Sequence, residues 1–559
     1  MKTSTIIEYG AVDLTAKADS QISVNNSQDF VDIEDLKKNK LKETKYSTLE
    51  KNHFVLDGKS VNMGDSVTEA GWWSRWMSDS NGTFSSPLVM TINFTQGHSS
   101  MGLTLTFSEY AYCNNLKIQY YNASNTLIYE NTFHPDSYEY FCEGTATNYR
   151  KIVITFYSTN IPYRYLKLYS IMYGQVILFQ GENLISANIL EQIDVLSNEL
   201  SINTLDFVAY DEKLNIFNPQ VVSGAIQERQ KLNVYQVKND EIINFGTYYI
   251  QKWQNQNNSK MEFSAIDLIG LLDGGTFYGG MYTDITFENL ISQIFESAGI
   301  SSTLYHIQDE LKNLTLTGYM PVMTPREALQ QVLFLTGAVA NCARTDIIEI
   351  YLIEGTEPNQ ISRSNIFKGS EKIERDSLIT GVSIKSHNYA KAFYEITLFE
   401  GSLVAGRHTI IFDQPAWDVT CSEDATVIEL GTNYIIVELT RTRTITVTGW
   451  PYKDSMQDVL ISNPSASGYE VSNLLKIESM YLINNSNAQS VGQRIMNFYE
   501  DKYTSKFKFV LDDEKVGENV ILEENLGNSL EGYISSLDID LTGGYVADAE
   551  IVAKVGENS

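Results

Sequence analysis

Leu103-Thr104-Leu105-Thr106-Phe107 alternates apolar and hydroxyl side chains at every second position. Period two sends successive side chains to opposite faces of an extended chain, so the stretch reads as a half-buried β-strand. Similar runs surround it: Leu88–Phe94, Leu116–Tyr121 before the turn-like Asn122-Ala123-Ser124-Asn125, Lys151–Phe156 and Tyr165–Ile171. Short strands at near-regular spacing, with almost no helical period, predict a sandwich or jelly roll over residues 54–178. The preceding segment, 1–53, contains Lys37-Lys38-Asn39-Lys40-Leu41-Lys42, a basic run that reads as a solvated loop or linker.

Beyond residue 178 the style changes. Leu205, Phe207 and Ala209 share one face of a strand, with Asp206 and Val208 on the other. Tyr248–Trp253 and Met261–Ala265 also read as strands, so 179–275 is expected to be a second all-β unit ending near the glycine-rich Asp273–Gly280. Residues 276–365 form a small α+β unit. One helix starts at the cap Thr286, buries Leu290, Ile291, Ile294 and Phe295, and stops at Gly299. A second has Thr324 as N-cap, Pro325 at its first position, Glu327 at its third and Gly337 as its stop. Residues 366–559 return to β, with a helix expected near Val491–Tyr503 and a closing meander that includes Leu537-Asp538-Ile539-Asp540-Leu541. The fold class is therefore mainly β with a small α+β part.

The chain has 559 residues with 41 Lys+Arg against 70 Asp+Glu, a formal charge of −29. That balance excludes binding nucleic acid by neutralising phosphates, and it argues against a basic membrane-surface patch. No run approaches the ~20 apolar residues that span a bilayer, so no membrane anchor is expected. The amino terminus has no signal-peptide apolar region, which implies cytoplasmic synthesis. Cys113, Cys142, Cys342 and Cys421 are scattered and read as buried free thiols, with a Cys113–Cys142 bridge the one pairing left open.

Motifs for chemistry are missing. The six histidines show no metal-ligand spacing, and neither a nucleophile elbow nor a phosphate-binding Gly-Lys-Ser/Thr loop occurs. The expectation is no catalytic site, no metal and no cofactor, hence no enzyme. One local feature stands out, Gly71-Trp72-Trp73-Ser74-Arg75-Trp76, with three of the six tryptophans. Trp72, Trp73, Arg75 and Trp76 are candidate contacts for glycan or protein, because Trp and Arg stack on rings and anchor interfaces. The more economical account packs two of the three tryptophans into the sandwich core or its edge.

Four stretches between about 176 and 555 carry a family resemblance. They are Asn183–Glu191 leading into Ser201–Phe207; Phe245-Gly246-Thr247-Tyr248-Tyr249-Ile250 before Ala265–Gly270; Thr324–Gln331 followed by Gly337-Ala338; and Gly492–Tyr499 with the closing Gly543-Gly544 hairpin. In this order they resemble the tail hub, or baseplate hub, protein of phages and phage-derived contractile particles. The resemblance implies two β-barrel tail-hub domains, 179–275 and 366–559, flanking the small helical domain. It implies a homotrimer whose six barrels continue a hexameric tail tube and carry a spike or tail tip. The expected partners are therefore the tube or tube-initiator protein, the spike or tip protein, other baseplate proteins and a tape-measure protein. The location would be a virion or tail-like particle assembled in the bacterial cytoplasm.

Residues 54–178 resemble a discoidin-like, carbohydrate-binding-type jelly-roll module, on Asn93-Phe94, the strand series and Tyr163–Leu168. Such a module would contact baseplate partners or cell-surface glycan. The alternative function is accordingly a glycan-binding or glycan-degrading tail protein for host-surface recognition. From Val491 onward, 14 acidic residues face 6 basic ones. Under the hub resemblance these carboxylates are expected at a passage that must not hold a polyanion.

Overall fold

The computed structural model describes residues 3–29, 31–37, 50, 71–108, 111–210, 229–238, 241–257, 259–353, 358–422, 425–468, 472–500, 502–523 and 529–555. Most of the basic run at 37–42 lies outside them. The described chain is mainly β and divides into two compact units. One spans Glu8–Leu178; the other holds most of the chain from Phe179 onward.

In the first unit the expected short strands merge. Leu88–Phe94 and Leu103–Phe107 belong to one strand, Thr83–Phe107, which pairs antiparallel with Glu139–Thr159. Register shifts between Asn93 and Gly102 break the ladder and let the long strand bend. Its inward side chains Leu88, Met90, Ile92, Leu103, Leu105 and Phe107 join Trp72, Ile118, Ile152, Ile154 and Phe156 in one core. Thr104 departs from the half-buried expectation. It is buried, and its hydroxyl donates to Gly174 O at 2.8 Å, which satisfies the polar atom that burial would otherwise strand.

The second unit is organised by a 13-stranded sheet. Strands from the expected first barrel (Leu184–Gln192, Thr204–Tyr210, Lys260–Ile266, Glu241–Asn257, Lys231–Lys238) run on into strands from the expected second (Ser529–Asp540, Val546–Val555, Tyr503–Val510, Lys372–Arg375). The junction is the antiparallel pair Leu184–Gln192 with Ser529–Asp540, in the register Asn188↔Asp540 and Ile189↔Ile539. Period two then sorts the faces. Ile189, Leu205, Phe207, Phe263, Leu537, Ile539, Phe507 and Ile551 are buried, and Asp206, Asp538, Asp540, Asp548, Lys506 and Lys508 are exposed.

The α+β part follows its local signals. Helix Phe287–Ser297 is capped by Thr286, and Pro325–Thr336 begins with a full capping box between Thr324 and Glu327. Gly337 ends it at φ +80°. The last helix occupies Ala488–Tyr499, a few residues earlier than its apolar pattern indicates, because the chain must already be extended at Tyr503 to pair with Val546–Val555. Residues 381–477 do not join the large sheet. Gly381–Ser386 pairs with Gln457–Ser462 and Leu474–Ile477, and residues 389–454 form two further small sheets around Ile435, Val437, Ile445 and Val447.

Candidate functional site

The tryptophan cluster lies on strand Trp72–Met77, whose pairing with Tyr165–Met172 shifts register between Trp73 and Met77. The shift separates its members. Trp72 is fully buried, its indole N–H donates to Asn26 O at 2.8 Å, and its ring lies 5.4 Å from Phe156. Trp73 is buried beneath the Lys167 ammonium, which stands 4.5 Å over its ring and 2.8 Å from Glu50 Oε2. Arg75 is exposed and Trp76 is 53% exposed. The structure therefore leaves Arg75 and Trp76 on the surface and places Trp72 and Trp73 in the core.

In the other unit the four quoted stretches converge on three contacts. Glu191, at the end of the Leu184–Gln192 strand, receives Arg344 Nε at 3.0 Å and Nη2 at 3.3 Å, with both side chains buried. Arg344 also stacks 4.6 Å over Phe245. Asp267 accepts the backbone N–H of Asn203 at 3.0 Å and of Gly270 at 3.1 Å. Burial pushes its carboxyl up to about 7. Arg494, on the last helix, donates to the carbonyls of Phe334 and Leu335 at the C-terminus of Pro325–Thr336, where a cation also complements the helix dipole. Patterning alone did not reveal these partners, which are 153, 64 and 159 residues apart for Glu191–Arg344, Asn203–Asp267 and Leu335–Arg494. The one local signal was the helix stop Gly337, whose missing Cβ makes room for the Arg494 guanidinium.

The exposed face of the large sheet carries the charge. Asp538 sits opposite Asp548, and Asp548 opposite Lys508, whose ammonium is 3.5 Å from its carboxylate. Lys506 is 2.8 Å from Glu550 Oε2, and that contact raises the Lys506 ammonium above its ordinary range. Asn188 donates an amide N–H to Asp538 across the junction. Like charges directly opposite would repel, and the interleaved lysines and amide offset that.

Among the described residues no cluster of three or more His, Cys, Asp or Glu could hold a metal ion. No described helix is long and apolar enough to cross a membrane. All four cysteines are free thiols, Cys421 being only half-buried.

No protein-family model matches this chain, and no curated protein matches it. Solved structures with some likeness include the tail protein from Neisseria meningitidis, at 11% identity and TM-score 0.41, covering 68% of this chain and 94% of that one. Another is the 43 kDa tail protein of prophage MuSo2 from Shewanella oneidensis, at 11% identity and TM-score 0.38, covering 67% and 94%. A third is prophage tail protein gp18 from Listeria monocytogenes, at 11% identity and TM-score 0.37, covering 68% and 92%. At these values the likeness is coarse.

Proposed function

We propose that the chain is a structural tail hub: a homotrimeric adaptor joining a hexameric tail tube to the spike or tip of a phage or phage-derived particle. One observation carries the reading. The Leu184–Gln192 strand pairs with Ser529–Asp540, so two β regions far apart in sequence stand side by side in one sheet. A chain that contributes two adjacent wall segments can match a sixfold tube with three copies. The buried Glu191–Arg344 pair ties that wall to the α+β part, and Arg494 ties the last helix to Pro325–Thr336, as a rigid adaptor requires. The exposed carboxylates Asp206, Asp538, Asp540 and Asp548 would then suit a passage that does not retain DNA or another polyanion.

The same reading assigns residues 54–178 to a discoidin-like module contacting baseplate partners or surface glycan, with Arg75 and Trp76 as its available contacts. Light scattering of the purified protein tests the hub. A trimer of the 63.1 kDa chain is expected, and a stable monomer at all concentrations would contradict it.

A further inference from the structure

Residues 389–454 carry an aromatic surface that the hub reading does not use. Strand Arg443–Asp454 turns Ile445 and Val447 inward, so Thr446, Thr448, Trp450 and Tyr452 share its other face. Trp417 lies directly opposite Trp450, with ring centroids 5.4 Å apart. Phe393 meets Trp417 edge-on at 6.0 Å and is 79% exposed. Lys391, opposite Tyr452, holds its ammonium 4.6 Å over the Trp417 ring. On the far side Thr420 and Thr448 pair, their hydroxyls 2.9 Å apart.

We propose that this face binds a polysaccharide bearing anionic substituents. The exposed Phe393 ring, backed by the half-buried Trp417 and Trp450, offers a stacking surface to the C–H faces of pyranose units. The threonine hydroxyls can both donate to and accept from sugar hydroxyls. Lys391 supplies the charge complement, an exposed cation in a chain whose acidic residues outnumber its basic ones by 29. Its ammonium can take a uronate carboxylate or a phosphodiester. A protein partner fits less well, because Ser and Thr are under-represented among protein–protein hot spots and here hydroxyls flank the aromatics. The inference stands whether or not the chain forms a ring.

The test applies the full chain to an array of uronate-bearing, phosphodiester-bearing and neutral bacterial polysaccharides. Phe393→Ala, Lys391→Gln and Phe367→Ala, the last an exposed ring outside both candidate surfaces, are run beside it. Phe393 is on the surface, so its variant should keep the native melting temperature, which is measured alongside. The expected result is binding to at least one anionic class. Phe393→Ala should weaken it at least tenfold, Lys391→Gln should remove the preference for anionic over neutral chains, and Phe367→Ala should leave it unchanged. The uronate and phosphodiester arms identify which anion is read. The proposal is overturned by no binding to any polysaccharide, by binding that survives both Phe393→Ala and Lys391→Gln, or by a Phe393→Ala variant whose only defect is in protein association.

Discussion

Arg344 grips both carboxylate oxygens of Glu191 in a buried, two-pronged ion pair that fastens the α+β part to the large sheet. Removing one partner leaves the other charge buried without compensation. Arg344→Ala should therefore destabilise the protein by about 3–5 kcal/mol in urea unfolding. Glu191→Leu combined with Arg344→Met should recover much of that loss. A double variant as unstable as the sum of the singles would show that the pair is not the coupled unit described.

The contact between Arg494 and the end of helix Pro325–Thr336 gives a second prediction. A Cβ at residue 337 would lie 2.8 Å from Arg494 Nη1 on a backbone already at φ +80°. Gly337→Ala should cost roughly 1–2 kcal/mol from the left-handed conformation, with displacement of the guanidinium in addition. Arg494→Ala, which frees two helix-end carbonyls, should cost about 1–3 kcal/mol. Because both act on one contact, the double variant should lose less than the sum, as measured by a double-mutant cycle.

Asp267 predicts a pH dependence. Its folded carboxyl is raised to about 7 by burial, against about 3.9 for an unfolded Asp. The folded state therefore holds the proton more tightly than the unfolded one, and this group's contribution to stability falls as pH rises between about 4 and 7. Urea midpoints from pH 5 to pH 8 should show the decline. Asp267→Asn, which does not titrate, should flatten it; an identical slope in that variant would place the effect elsewhere.

Trp72 and Trp76 should behave oppositely. Trp72→Ala empties a fully buried site and should cost about 3–5 kcal/mol. Trp76→Ala changes an exposed side chain and should alter stability by no more than about 0.5 kcal/mol. Chemical unfolding monitored in the module's core separates them. For the same reason only Trp76 and Arg75 substitutions give a clean reading of surface binding by residues 54–178.

Much of the fold was legible in the sequence because its signals are local. Period two in Leu103–Phe107 and Leu537–Leu541 marked strands, and Thr324, Pro325, Glu327 and Gly337 marked a helix start and stop almost to the residue. What was not legible depends on distant partners. Trp72 and Trp76 look alike in sequence, and only the register shift against Tyr165–Met172 separates core from surface. Thr104 looked solvent-facing until a strand some 70 residues later covered it. The pairing of Leu184–Gln192 with Ser529–Asp540 joins residues whose separation no periodicity reports. The aromatic face at Phe393, Trp417 and Trp450 was likewise assembled from three separate strands and loops.

The central claim is that this chain supplies two neighbouring wall segments to a threefold ring. A cryo-EM map of the assembled tail end tests it most directly. The account predicts three copies at the end of the tube, each contributing the Leu184–Gln192/Ser529–Asp540 pairing to a six-segment wall, with Asp538, Asp540 and Asp548 facing the passage. A single copy, a position away from the tube end, or a passage lined by the opposite, apolar face of that sheet would contradict it.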